Sequence, residues 1–195
     1  ECFPECEMIQ MHSQFIISDR AEIEREILKR AGKNSTPEQR NKLIIVGTQV
    51  LEQSLDIDFD VMITDLCPMD LLLQRIGREH RHKGRKRPLC LQKAKCYVLT
   101  ETRVVYDKWL LQRTADKLPE YFCLPDDIPV YVQDVYAEPN EDEKNDLWDE
   151  YMRHLEKLEE DAKRFRVGEP VCEEEDNPEF DSIKGWLNNT SAELT

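Results

Sequence analysis

The chain has 195 residues, of which 39% are hydrophobic and 35% are charged, and its net charge is -14. This composition allows a modest buried core, and no apolar run approaches the roughly 20 residues that a membrane-spanning helix needs. We therefore expect no contact with a membrane. The chain also lacks a signal-peptide pattern and metal-type Cys-x-x-Cys pairs, which favours a cytoplasmic location with reduced thiols. Because Glu1 stands where a methionine would start a protein, we expect a piece of a longer polypeptide.

The negative charge is concentrated in one part of the chain. Residues 138–182 contain 18 acidic and 6 basic side chains, and so carry most of the net charge. In contrast, the segment Arg75 to Arg87 contains seven basic side chains and the single acid Glu79. A nucleic-acid partner is therefore compatible with this acidic chain, because phosphate contacts depend on the local charge.

The first half of the sequence predicts alternating strands and helices. In chain order we predict a strand Glu7–His12, a helix Asp19–Ala31, a polar loop Asn34–Asn41, strands Leu43–Val46 and Val61–Thr64, a helix Asp70–Gly77 and a strand Lys95–Leu99. Asp19 and Glu22 have the spacing of a capping box, and Gly32 follows the first helix. The strands are short continuous apolar runs, which is typical of a parallel sheet covered on both faces.

The second half predicts one long helix. Asn140 and Glu143 again have capping-box spacing, and Gly168 and Pro170 mark the end of the helix. Apolar residues recur at helical spacing, so we expect one face to pack against the protein, with partner binding as the alternative. These residues are Leu147, Trp148, Tyr151, Met152, Leu155, Leu158, Ala162 and Phe165. The remaining segment, 169–195, is predicted to be an acidic linker and tail.

The most informative stretch is Gln74-Arg75-Ile76-Gly77-Arg78-Glu79-His80-Arg81. If the preceding helix continues, Arg78 and Arg81 share one of its faces. Two guanidinium groups in that arrangement could both meet a phosphate, as arginine fingers do. The alternative is a solvated basic turn, because the basic run continues to Arg87.

Two segments resemble conserved motifs of superfamily 2 helicases and occur in the same order. Residues 44–58 resemble motif V and residues 74–81 resemble motif VI. The amino-acid sequences of residues 53–60, 70–82 and 124–132 are similar to segments of the CRISPR-associated helicase-nuclease of type I systems. This resemblance spans residues 12–165.

The resemblance implies an α/β fold, with a RecA-like parallel sheet flanked by helices and then a mainly helical extension with one long helix. Residues 1–100 would form an incomplete second helicase lobe with motifs IV to VI, and 101–137 a connecting segment. Residues 138–168 would form the long acidic amphipathic helix, followed by the linker and tail 169–195.

The resemblance also implies that ATP and Mg²⁺ bind between two lobes. Arg78 and Arg81 would meet the γ-phosphate, Gln74 would couple the site to DNA, and Gly77 and Asp56 would lie near the nucleotide. The chain has no Gly-x-x-x-x-Gly-Lys-Ser/Thr loop and no His followed by Asp, so we expect the phosphate loop and the nuclease signature elsewhere. We therefore expect the isolated chain to hydrolyse no ATP, and we predict no metal site in it.

Nucleic-acid contacts are expected where parallel strands end, because loops there present backbone N–H groups to phosphates. The predicted contacts are His12, Ser13, Thr48, Gln49, Arg75, His80, His82, Lys86 and Arg87. The alternative for Thr48 is a plain helix N-cap, and the alternative for His12 is a packed histidine.

The implied function is a part of an ATP-dependent single-stranded DNA helicase or translocase of antiviral defence in the prokaryotic cytoplasm. Its partners would be single-stranded DNA, the first helicase lobe, a nuclease domain and the CRISPR surveillance complex. Another superfamily 2 helicase acting on RNA or duplex DNA, or a non-catalytic interaction module, remain alternatives. Two residues depart from the family pattern: Glu79 stands where leucine is frequent, and Gly47 where alanine is common.

Overall fold

A computed structural model of the chain describes residues 4–52, 55–100 and 105–164. The elements are β1 (Glu7–Met11), α1 (Ile17–Ala31), α2 (Pro37–Arg40), β2 (Leu43–Gly47), β3 (Met62–Asp65), α3 (Met69–Ile76), β4 (Cys96–Leu99), α4 (Lys108–Asp116), α5 (Ile128–Tyr136) and α6 (Asp146–Arg164). Short 3₁₀ turns occupy Gln49–Glu52, Leu89–Leu91 and Glu141–Glu143. The chain divides into compact units of residues 1–153 and 154–195. The predicted α/β class is confirmed, and no helix in the described ranges is long and apolar enough to cross a membrane.

The strands pair in parallel, as predicted, but they form two separate sheets. Strand β1 pairs with β2 and places Met11 opposite Gly47, whereas β3 pairs with β4. Within the described residues, each sheet therefore contains two parallel strands. Isolated bridges join Gly32 to Ile57 and Phe59 to Glu79, so an extended segment connects the end of α1 to the chain after α3.

Two apolar clusters form the core. One contains Met11, Ile27, Ala31, Leu55 and Ile57, which pack β1 and α1 against the extended segment. The other is built on α3, α4 and α5 and contains Cys67, Met69, Leu72, Leu73, Trp109, Leu110 and Val135. Leu55 and Ile57 belong to the first cluster and Cys67 belongs to the second. The chain between β2 and α3 therefore contributes to both clusters.

Helix α1 begins earlier than predicted. Its first residue is Ile17 and its N-cap is Ile16, so the predicted capping role of Asp19 and Glu22 is wrong. The predicted polar loop contains α2, whose capping box is formed by Thr36 and Gln39.

Helix α3 ends at Ile76, and this changes the geometry of motif VI. The N–H of Gly77 donates to the Leu73 carbonyl at 2.9 Å. The N–H groups of Arg78 and Glu79 each donate to the carbonyl three residues earlier, so the chain turns more tightly there than in an α-helix. His80 then has φ 48°, a left-handed conformation that interrupts helical continuation. Arg78 and Arg81 therefore follow the helix, and the prediction that they share a helical face is wrong.

Helix α6 begins at Asp146 and not at the predicted capping box. Asn140 and Glu143 do form a capping box, but around a 3₁₀ turn. The side-chain oxygen of Asn145 accepts the N–H of Leu147 at 2.9 Å and so caps α6.

The predicted packing face of α6 is confirmed for its first part. Leu147, Trp148 and Tyr151 pack against the cluster of α3 to α5, and Trp148 lies edge-on to Trp109 at 5.3 Å. Leu155 and Leu158 are exposed. The predicted linker and tail, 169–195, and Phe165 lie outside the described residues.

Candidate nucleotide and nucleic-acid site

An acidic segment, Asp56 to Asp60, is the centre of the site. Its three aspartates alternate with Ile57 and Phe59. In an extended chain, alternate residues point to the same side. Ile57 is fully buried in the core, whereas the aspartates meet the basic loop, which we define as Arg81 to Arg87.

Asp58 makes the most extensive of these contacts, and its side chain is 0% exposed. Arg85 Nε lies 3.0 Å from its carboxylate, and Arg87 Nη2 donates to both oxygens at 2.7 and 2.9 Å. The backbone N–H of His82 donates to it at 3.2 Å. Arg87 also binds Asp60, so one buried arginine joins two acids. A buried carboxylate needs such partners, since an unpaired buried charge is strongly unfavourable.

Arg85 extends the network to the end of α1. Its Nη2 donates to the Gly32 carbonyl at 2.7 Å, and its Nη1 donates to the Ser35 hydroxyl at 3.0 Å. Burial lowers the pKa of Arg85, while Asp58 opposes that shift. The basic loop is therefore fastened to the protein, and Arg87, which we predicted to contact nucleic acid, has its guanidinium bound to Asp58 and Asp60. Lys86 is exposed.

Arg78 joins motif VI to motif V. Its guanidinium donates to the backbone carbonyls of Glu52 and Leu55, and the residue is 8% exposed. Burial, and then the charge of Arg81, lowers the pKa of Arg78. Both terminal nitrogens of this guanidinium thus donate hydrogen bonds to the chain that follows β2.

Arg81 has a different environment, because its side chain is 46% exposed. Its Nε lies 3.1 Å from Asp56, which also contacts His82 Nε2 at 3.0 Å. The hydrogen bond with His82 is the main reason that the pKa of Asp56 is lowered, and Arg81 adds to it. Gln74 is exposed, and Gly77 is the C-cap of α3. The predicted nucleotide residues Asp56 and Arg81 are therefore in direct contact.

Arg75 is bound inside the protein. Its Nε donates to Glu52 at 2.7 Å, its Nη1 to the Thr64 hydroxyl at 2.6 Å, and its Nη2 to the Tyr106 hydroxyl at 3.3 Å. Burial lowers the pKa of Arg75, but the effects of Cys67, Glu52 and Tyr106 together outweigh burial, so the pKa is raised. Sequence reasoning missed Glu52, Thr64 and Tyr106 as partners, because they are separated from Arg75 along the chain.

The ends of β1 and β2 form a cleft of about 330 Å³, which we call the strand-end cleft. It is lined by Gln10, Met11, His12, Ser13, Gln14, Val46, Gly47 and Thr48. The N–H of Thr48 donates to the Met11 carbonyl at 3.2 Å, and His12 stacks on Phe15 at 4.1 Å. The two predicted groups of strand-end residues are thus brought together, and Gln49 follows in the 3₁₀ turn.

Comparison with known proteins identifies the family. The C-terminal family of the CRISPR-associated nuclease/helicase Cas3 matches residues 1–84. The CRISPR-associated nuclease/helicase Cas3 of Streptococcus thermophilus is 43% identical over 92% of this chain and 21% of the relative. The chain belongs to the Cas3 family. The Escherichia coli K12 Cas3 endonuclease/helicase is 51% identical over 78 residues, or 40% of this chain and 8% of that protein.

Solved structures of Cas3 have the same fold. The crystal structure of T. fusca Cas3 with AMPPNP matches with a TM-score of 0.67 and 34% identity, over 79% of this chain and 19% of that chain. The T. fusca protein with ATP matches with a TM-score of 0.66, 34% identity and the same shares. This chain therefore spans about a fifth of the length of these Cas3 proteins.

The structure shows the local surroundings of Gly47 and Glu79. A Cβ at Gly47 would clash with Leu51 Cδ1, so alanine would require the leucine side chain to shift. Glu79 is buried, and burial raises its pKa to about 7. The backbone groups of Met62 and Lys95 oppose that shift.

We predict that Glu79 makes stability fall as pH rises. The folded state holds its proton up to a pKa of about 7, whereas the reference value is 4.5. The contribution of protonated Glu79 to the free energy of unfolding is therefore fully present below about pH 4.5 and is lost as pH rises through about 7. Relative to Glu79→Gln, the wild type should lose about 3 kcal/mol of unfolding free energy across this window in urea titrations. Glu22→Gln, at an exposed position, serves as control, and equal pH slopes for wild type and Glu79→Gln would contradict the assignment.

We also predict that neighbouring residues of the basic loop differ in their effect on stability. Arg87→Ala should lower the unfolding free energy by about 3 kcal/mol, because Asp58 stays buried with one arginine fewer. Lys86→Ala should change it by less than about 0.5 kcal/mol, since its side chain is exposed. Urea titration of both variants provides the measurement. Equal effects would show that the network does not stabilise the fold.

Proposed function

We propose that the chain forms part of the second lobe of an ATP-dependent single-stranded DNA helicase or translocase of CRISPR type I interference. Membership of the Cas3 family supports this assignment, as do the T. fusca Cas3 structures with AMPPNP and ATP. The observation that carries it is the contact between Asp56, at the end of motif V, and Arg81, at the end of motif VI.

The residues present fit a nucleotide phosphate. Arg81 is half-exposed next to Asp56, and its guanidinium has a surface that an anion could approach. Arg78 is buried behind it, with both terminal nitrogens donating to backbone carbonyls. The site therefore combines one accessible cation with a rigid support.

We assign different roles to the two arginines. ATP, when bound, supplies the γ-phosphoryl group whose negative charge must be stabilised during transfer. Arg81 would exchange its contact with Asp56 for that charge, and Asp56 would hold the side chain in place until then. Arg78 would fix the chain from Glu52 to Leu55 and so position the end of motif V. Gln74 and Gly77 would adjoin this site on the α3 side.

For DNA, we propose that the strand-end cleft holds the phosphate backbone. His12, Ser13 and Thr48 present ring and hydroxyl groups there. The side-chain amide of Gln49 is bound to Tyr106, so Gln49 would act by positioning the turn that follows the cleft. Lys86, in the basic loop, would add an exposed positive charge to the DNA-binding surface. The other predicted contacts, Arg75, His80, His82 and Arg87, would then act by supporting the fold around the DNA. Binding by such a surface should be independent of base sequence and weaken with salt.

The remaining machinery would come from outside this chain. A first lobe would supply the phosphate loop and the carboxylates for Mg²⁺, and a nuclease domain and the surveillance complex would complete the system. On this proposal, the isolated chain hydrolyses no ATP, because a positioned arginine acts only on a bound triphosphate.

The test compares Arg81→Ala with Arg78→Ala in the full-length protein that carries this chain. Arg81→Ala should lower DNA-stimulated ATP turnover by about 10³-fold or more, with unchanged stability and nucleotide-free DNA affinity. Arg81→Lys should restore little of the loss, because a point charge does not reproduce a planar guanidinium. Arg78→Ala should lower turnover and also cost about 2–4 kcal/mol of stability, since two buried carbonyls lose their donor.

Arg25→Ala provides the control, because Arg25 is an exposed arginine on α1. Near-normal turnover of Arg81→Ala would contradict the proposed role. A loss that appears only as weaker DNA binding would instead place Arg81 in a basic surface patch.

A further inference from the structure

The polar cluster around Arg75 contains a residue outside both helicase motifs. Tyr106 lies between β4 and α4, and its hydroxyl is 3.3 Å from Arg75 Nη2 and 3.4 Å from Gln49 Nε2. Both nitrogens carry hydrogens and the tyrosine oxygen can accept from both. One hydroxyl thus joins α3 to the turn that follows the strand-end cleft.

The turn Gln49 to Glu52 is held at three points. Gln49 contacts Tyr106, the Glu52 carboxylate contacts Arg75 at 2.7 Å, and the Glu52 carbonyl accepts from Arg78. Thr48, at the start of this turn, is bound through its N–H to the end of β1. A displacement of the turn at the cleft would therefore change the contacts of both Arg75 and Arg78.

The Tyr106 ring and its hydroxyl have separate tasks. The ring packs against the apolar cluster of α3 to α5 and is partly buried. The hydroxyl reaches the two polar groups named above. Phenylalanine would keep the packing of the ring and remove only the bridge between Gln49 and Arg75.

We propose that Tyr106 is a positioning residue that couples nucleic acid in the strand-end cleft to the arginines of motif VI. This inference rests on the proposed function. Nucleic acid bound at Thr48 would fix the position of the turn Gln49 to Glu52. The hydrogen bonds of Tyr106 and of the Glu52 carboxylate then position Arg75 relative to this turn. The Glu52 carbonyl positions Arg78 in the same way. The coupling acts through these hydrogen bonds, and Tyr106 itself touches neither nucleotide nor DNA.

The experiment measures ATP turnover of the full-length protein with and without single-stranded DNA for the wild type and Tyr106→Phe. The ratio of stimulated to unstimulated turnover should fall by about three- to tenfold, the factor that corresponds to the net contribution of one typical hydrogen bond. The loss should appear in kcat at saturating DNA and leave KM for ATP unchanged.

The matched control is Tyr131→Phe. Tyr131 belongs to the same apolar cluster and lies edge-on to Phe122 at 5.2 Å, so this variant also removes a phenol hydroxyl from a partly buried ring. Its stimulation ratio should equal that of the wild type. A double variant with Gln49→Ala should be no worse than the more impaired single variant, because both changes break the same bridge.

The outcomes are distinguishable. A wild-type ratio for Tyr106→Phe, or an equal loss in Tyr131→Phe, would overturn the coupling role while DNA-stimulated turnover by the wild type still supports the proposed function. Fully additive losses with Gln49→Ala would also overturn it. A wild type whose turnover does not respond to DNA would overturn the proposed function and the inference together.

Discussion

The buried carboxylate of Asp58 is the constraint on which the site depends. It lies on an extended segment whose alternate residues are anchored in the apolar core, so it has no access to water. Two arginines, Arg85 and Arg87, therefore fold back against it. Their positions determine the course of the chain after motif VI, and with it the place of Arg81 beside Asp56. The geometry of a functional loop thus follows from the cost of burying one charge.

The basic residues from Arg75 to Arg87 differ in whether they bind the protein itself or are exposed to a partner. In sequence, Arg75 to Arg87 is one positive run, which resembles a phosphate-binding patch. In the structure, the guanidinium groups of Arg75, Arg78, Arg85 and Arg87 bind protein acceptors. Arg81 is half-exposed, and so it is the arginine of this run that is best placed for a ligand. The net charge of a segment consequently overstates the charge that a partner would meet.

Much of the fold could be predicted because local signals agree with the final structure. Short apolar runs gave the parallel strands, and their shared ends placed His12 near Thr48. The helix limits were less predictable. Gly77 permitted a longer helix in principle, but His80 adopts a left-handed conformation set by its hydrogen bond to Phe59, a residue far away in sequence.

The partners of the arginines could not be predicted from the basic run alone. Glu52 and Asp58 lie more than 20 residues before their arginines, and only the folded chain brings them together. One signal was available, namely the alternation of Asp56, Asp58 and Asp60 with apolar residues. Acids at alternate positions of a buried extended segment require cations, and the basic run is the nearest abundant source in the sequence. The buried Glu79 also escaped prediction, because a glutamate inside a basic run is expected to be solvated.

The central claim, that the basic run is mostly an internal network, can be measured directly by arginine-specific labelling with phenylglyoxal followed by mass spectrometry. Arg81 should be modified at a rate similar to that of the exposed Arg25. Arg85 and Arg87 should react at least about tenfold more slowly, because their modification requires local opening of the network. Equal labelling rates for Arg81, Arg85 and Arg87 would contradict this account.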